Sequence, residues 1–300
     1  MPRFIFIPSE ATTPSIYDGA TGAFSLRKFF GWNKGVLRLR RSSDNGTATV
    51  FFDGASSQET ITLSSYISTV SNTSPSTTTL GTWLGSDTCY VDTWYFQTPS
   101  LIIDIAPTQA TLSSQPVFAT SGVLELDGSE IAVKFSQDFL VDVSPLSALN
   151  YDDEFTVLTV SSNTTNNNWS GIFGNYSSTS NGWFVHNSRT TGRRIVTQRG
   201  ASAGTEYYIQ YLTQQNTSDK KLLVGVHDST VNKAYYNGVF QESEAHNAEV
   251  YGNNDVVLGT FKTSFAKLTG YMQEVIVFPS DKTSDLSALN SDINSYYSIY

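Results

Sequence analysis

The side chains in this chain that could do chemistry are arginines, carboxylates and three histidines. Four arginines, Arg27, Arg38, Arg40 and Arg41, fall inside FSLRKFFGWNKGVLRLRRSSDN, a stretch otherwise apolar and strand-like. They could bind an anion or hold a fold together. In Leu37-Arg38-Leu39-Arg40 the alternation puts both arginines on one face of a strand and both leucines on the other. Arginine stems cover apolar surface while their guanidinium groups pair with carboxylates or carbonyls, so a structural role leads. A second group, Arg189, Arg193, Arg194 and Arg199, reads as ordinary surface charge or as an interface with an acidic neighbour.

Adjacent carboxylates occur at Asp152/Asp153 and Glu242/Glu244, and read as solvated loop groups. His186, His227 and His246 are scattered, and Cys89 is the single cysteine, so no zinc spacing and no disulfide framework arises. Loop carboxylates such as Asp127, Asp152 and Asp153 could hold calcium, but their spacing is unspecific. No Gly-x-Ser-x-Gly elbow and no glycine-rich phosphate loop is present. No cofactor and no metal are therefore expected.

The elements that must position these residues are strands. Charged residues make up 15 % of the chain and aromatics 13 %, a balance that favours strands and polar loops over helices. A net charge of −9 argues against a general nucleic-acid binder, which needs a dense basic surface. The start, MPRFIFIPSE, turns polar too soon for a signal peptide, and no apolar run approaches the roughly 18 residues of a membrane helix.

Strand signals recur at 35–41, 48–52, 90–96, 101–105, 123–126, 131–135 and 155–161, then at 171–174, 182–186, 194–198, 206–211, 222–227, 233–236, 255–260 and 270–278. Asn237-Gly238 predicts a type I′ hairpin turn. Residues 59–70 could be a short helix or an irregular strand. Residues 71–79 read as an exposed Ser/Thr loop. At 282–297 the helical spacing of Leu286, Leu289, Ile293 and Tyr296/Tyr297 predicts a helix capped by Ser284 or Asp285. The expected fold class is all-β: a two-sheet antiparallel jelly-roll sandwich with a C-terminal helix. Residues 1–22 read as an arm and 23–300 as the sandwich domain.

FSLRKFF and GVLRLRRSSDN resemble the opening of a concanavalin A-like sandwich family. That family includes B-type α-L-arabinofuranosidase catalytic domains and laminin-G-like domains of phage and marine bacterial proteins. Asp92-Thr93-Trp94-Tyr95, Gln115-Pro116-Val117, Leu126-Asp127-Gly128, Val133-Lys134-Phe135 and Asn237-Gly238 carry the resemblance onward. Val257-Leu258-Gly259, the 270–278 strand and the terminal helix close it. The resemblance implies two curved sheets whose concave face commonly binds glycans. Its glycosidases work through two carboxyl groups, one a nucleophile and one a general acid. Here the general-acid position falls on Thr263, and the nucleophile strand, 183–189, carries no acid.

The expectation is therefore a non-catalytic phage virion protein of tail fibre, tail tip or capsid surface. It would be made in the host cytoplasm, would serve glycan adhesion or architecture, and would not be an enzyme. The alternative is a glycoside hydrolase with rearranged catalytic residues. Expected partners are other virion proteins, further copies of the chain in a homo-oligomer, and a host cell-surface glycan, with no nucleic acid and no membrane insertion. Candidate carbohydrate-binding residues are Trp169, Trp183, His186, Arg189 and Tyr207. For Trp183, packing in the core leads over stacking on a sugar; for Trp169, set among asparagines, the two readings are even. Phe4, Ile5, Phe6 and Ile7 have strand character and are candidate docking residues that could extend a neighbour's sheet.

Overall fold

The computed structural model describes residues 15–53, 59–102, 105–143, 154–164, 169–174, 182–188, 193–199, 206–211, 219–228, 230–245, 255–260 and 266–300. The chain opens with β1 (Gly22–Ser25), β2 (Leu37–Arg41), β3 (Thr47–Val50) and β4 (Ile67–Ser68), then α1 (Leu80–Leu84) and β5 (Cys89–Trp94). After these come β6 (Val117–Thr120), the short β7 (Val123–Leu124), β8 (Leu126–Asp127) and β9 (Glu130–Ile131), then β10 (Val133–Ser136) and β11 (Leu140–Asp142). The second half holds β12 (Phe155–Asn163), β13 (Trp169–Gly174), β14 (Gly182–Ser188), β15 (Arg193–Arg199), β16 (Glu206–Tyr211) and β17 (Lys221–His227). It closes with β18 (Val231–Tyr236), β19 (Val239–Ala245), β20 (Val256–Leu258), β21 (Thr269–Phe278) and α2 (Leu286–Tyr297).

The strands form two main antiparallel sheets. The larger runs β19-β18-β17-β12-β21-β10-β6-β5-β2-β3-β4, with β1 also on β21 and β7 on β6. The smaller runs β11-β20-β13-β14-β15-β16. Between them lies one core: Phe155, Val157, Leu223 and Val275 from the large sheet meet Phe173, Trp183 and Val185 from the small one. Phe24 joins the two ends of this core, with its ring centroid 4.7 Å from Phe96 and 5.9 Å from Phe173. The chain is thus an all-β sandwich, as its composition and strand spacing predict.

A second core lies on the opposite face of the large sheet. There α2 sets Leu286, Leu289, Ile293 and Tyr297 against Leu158, Val160, Val224 and Ile276. Burying each such side chain contributes about 1.5–3 kcal/mol, enough to hold a helix of three turns that would be marginal alone. The helix starts later than its spacing predicts, because 283–285 form a turn. Asp285 sits at the N-cap without a capping bond, and its carboxylate accepts instead from Lys282 Nζ at 3.0 Å.

The Asn237-Gly238 turn forms as expected, with φ of 48° and 76°, the left-handed pair that a type I′ turn requires. Elements that were not expected include β1, β6, β11 and α1. The region 59–70 yields β4 and two isolated bridges, Thr60 to Arg27 and Tyr66 to Thr79. The strand expected at 101–105 is not seen among its described residues. Leu101 turns back with its N–H on Thr98 O and a φ of 57°, and Ile102 is exposed. In the segment read as an arm, Tyr17 and Ala20 are buried in the second core, so the folded body reaches at least to Tyr17. Phe4, Ile5, Phe6 and Ile7 lie outside the described residues.

Candidate functional site

Three of the four arginines in the opening stretch are consumed by the fold. Arg27 is 2 % exposed and gives Glu274 two bonds, Nε to Oε2 at 2.8 Å and Nη2 to Oε1 at 3.0 Å. Its Nη1 reaches Asp292 at 2.9 Å, and its guanidinium lies 4.7 Å from the Phe29 ring and 4.8 Å from that of Tyr296. Ser25 and Tyr297 donate to the same Glu274 oxygen. Arg40 donates to Gln115 Oε1 at 2.6 Å and lies over Tyr90 at 4.7 Å. Arg41 holds Trp83 O at 2.6 Å and Asp44 at 2.5 Å. These groups tie distant segments together, as the alternation argument expects.

Arg38 differs. It stands on β2 with its side chain 48 % exposed. Around it opens a cleft of about 340 Å³, within the roughly 300–1,000 Å³ of ligand pockets. Strand register builds the cleft floor. Arg38 is paired with Thr49 on β3, and Thr49 with Ser68 on β4, so the three side chains form a row on the face turned away from the core. Leu37, Leu39, Ala48 and Val50 point the other way, into the core.

The walls come from elsewhere in the chain. Tyr95, just past β5, is buried, and its hydroxyl is hydrogen-bonded to the side chains of Thr49 and Asn72. Burial raises its pKa above the ordinary 10, so it remains a protonated phenol at neutral pH. The loop after β4 is folded over Ser68, whose Oγ accepts from the N–H groups of Val70 and Ser71. Val70 is left 93 % exposed at the rim. Gly35 makes the arrangement feasible. A Cβ there would lie 2.3 Å from Thr49 Cγ2 and 3.3 Å from both Asn72 O and the Tyr95 ring. Only a residue without a side chain lets these three groups converge.

Asp92 stands beside Arg38 because of a bulge. Arg38 pairs with Thr93 but Leu39 pairs with Val91, which leaves Asp92 as the extra residue. Bulges re-aim side chains in this way. The Asp92 carboxylate meets Arg38 Nε at 3.4 Å and also accepts from Gln115 Nε2 at 3.3 Å. The lining itself is one guanidinium, hydroxyls, an amide and a phenol, with no carboxylate. Such a surface binds by directed hydrogen bonds.

Trp183 and His186, singled out by sequence, do not line this cleft. Trp183 is fully buried, stacked on Phe155 at 4.7 Å and packed edge-on to Phe173, so it is a core ring and not a sugar platform. His186 is also fully buried. Trp169 begins β13 opposite Ser188, and Tyr207 lies on β16 opposite Gln198; the structure describes only their backbone places. Arg189, Asp152, Asp153 and Thr263 lie outside the described residues. Among the described residues no three His, Cys, Asp or Glu side chains gather as a metal site. Cys89 is buried, with its thiol pushed up to about 12, and it is unreactive.

No family model matches the sequence, and no curated protein matches it. In three dimensions the chain is similar to a GH54 α-L-arabinofuranosidase soaked with a cyclic sulfate inhibitor, at 12 % identity and a TM-score of 0.65, covering 94 % of this chain and 64 % of that one. It is similar at 13 % identity and a TM-score of 0.67 to a glutamate-to-glutamine mutant of a GH54 α-L-arabinofuranosidase soaked with 4-nitrophenyl α-L-arabinofuranoside, with the same coverage. The chain therefore spans just under two thirds of those enzymes. At this identity the likeness is one of fold, a β-sandwich.

Proposed function

We propose that this protein is a non-catalytic glycan-binding sandwich carried on the surface of a phage virion. The observation that carries the binding half is the cleft around Arg38. Its volume, its hydroxyl, amide and phenol lining and its exposed Val70 suit a polar, ring-shaped ligand with apolar faces. The likeness to a carbohydrate-active sandwich supports the same ligand class by analogy of fold. The virion half rests on the opening motif, which resembles laminin-G-like domains of phage proteins. Weak single sites would gain avidity from display in many copies.

A glycan array tests binding, and titration with the selected glycan should give saturable binding that Tyr95→Ala weakens at least tenfold. An array with no glycan above background would overturn the reading. Release of reducing sugar from arabinan, xylan or a host polysaccharide would favour a glycosidase with rearranged residues. Mass spectrometry of purified virions should find the chain, and its absence there would refute the virion assignment.

A further inference from the structure

We propose that the Arg38 cleft selects acidic saccharides, with the guanidinium of Arg38 receiving a sugar carboxylate and the hydroxyl row of Thr49 and Ser68 receiving the ring hydroxyls. This rests on the glycan reading above and names its ligand class. Arg38 is the one charged residue lining the cleft. A neutral sugar needs no cation there, and the other three arginines of the stretch show what the fold does with a guanidinium that it keeps for itself.

Arg38 is held loosely. Its Nε lies 3.4 Å from Asp92 Oδ2, and its Nη2 donates to Thr47 Oγ1 at 3.3 Å, both long for charge-assisted bonds, which are usually about 2.7–2.9 Å. Its Nη1 has no hydrogen-bond partner among the described residues. The planar fork therefore keeps donors for two carboxylate oxygens, the geometry in which arginine outperforms lysine. Asp92 is not left uncompensated when the fork turns to a ligand, because Gln115 Nε2 and Thr93 Oγ1 already donate to it. With a net charge of −9 the molecule as a whole repels anions, so the attraction must be local. One arginine in such a field does not suit a polyphosphate, which needs several cations.

The test pairs each acidic glycan on an array with its carboxyl-reduced, neutral counterpart. The wild-type protein should bind at least one acidic member about tenfold more tightly than its neutral partner, the scale of one charge-assisted contact. Arg38→Gln should bring that ratio to within about twofold, and Arg38→Lys should retain only part of it because it keeps the charge and loses the fork. An unchanged urea midpoint would show that both variants fold. Equal affinity for acidic and neutral members, or a preference that survives in Arg38→Gln, overturns the inference while leaving glycan binding intact. Binding to no glycan at all sinks both.

Discussion

Arg27 and Arg38 come from one short stretch, and the molecule treats them in opposite ways. Arg27 is sealed under α2, bonded to two carboxylates and flanked by the rings of Tyr17, Phe29, Tyr296 and Tyr297. Arg38 is half exposed and held by two long contacts. A buried guanidinium must be saturated, since desolvation costs more than a partial set of partners returns. An exposed one can stay partly free, because water completes its shell. The difference marks Arg27 as a tie between the N-terminal segment, β21 and α2, and Arg38 as a group available to a ligand.

Removing the partner of the sealed arginine should have the largest effect. Glu274→Gln leaves the Arg27 guanidinium buried without its bidentate carboxylate and should cost about 3–5 kcal/mol of stability, read as a fall in the urea midpoint. Adding Arg27→Met should restore part of the loss, because the stranded charge is then gone. If Glu274→Gln is tolerated within about 1 kcal/mol, the tie is not one.

The same cluster should make the fold sensitive to alkali. Burial, reinforced by the Glu274 charge, holds the phenols of Tyr17 and Tyr297 above the ordinary value of 10. Above that pH the unfolded chain loses two protons that the folded chain keeps. Their contribution is fully present below pH 10 and is lost as pH rises toward the folded values, by roughly 1.4 kcal/mol per unit for each phenol. Urea midpoints between pH 9 and 11 should fall accordingly, and Tyr17→Phe should flatten the slope. The cleft phenol, Tyr95, is raised in the same direction.

At the cleft, Gly35→Ala should cost about 1–3 kcal/mol, the usual range for overpacking. The new methyl would meet Thr49 Cγ2 at 2.3 Å. Thr49→Ser removes that methyl and keeps the hydroxyl, so the double variant should recover both stability and glycan affinity. No recovery would mean that the strain falls on Asn72 O or on the Tyr95 ring instead.

Much of the fold is legible in the sequence, because strand alternation and helical spacing are local. Leu37-Arg38-Leu39-Arg40 places its arginines opposite its leucines, and the terminal helix buries the residues that its spacing selects. The cleft is not legible in that way. It needs the register that sets Arg38 beside Thr49 and Ser68, the bulge that delivers Asp92, and the missing side chain of Gly35, all products of long-range pairing. Residues 71–79 read only as a polar loop, although Ser71 and Asn72 form a wall. His186 is buried where the sequence offered a surface group, for a related reason, while Trp183 packs in the core, the reading that led for it. Alternation tells which faces a strand has, not which of them is covered.

The smallest expected effect is the one that best separates the two arginines. The Arg38–Asp92 pair is 3.4 Å long, with side chains 48 % and 24 % exposed, so solvent and salt screen it. Arg38→Gln should therefore change stability by no more than about 0.5 kcal/mol, near the low end for exposed pairs, and its urea midpoint should match the wild type at low and high salt. Asp92 keeps Gln115 and Thr93 as partners, so no buried charge is stranded. A loss of more than about 2 kcal/mol would make Arg38 a second structural tie, and would remove the ground for treating the cleft as a site that awaits a ligand.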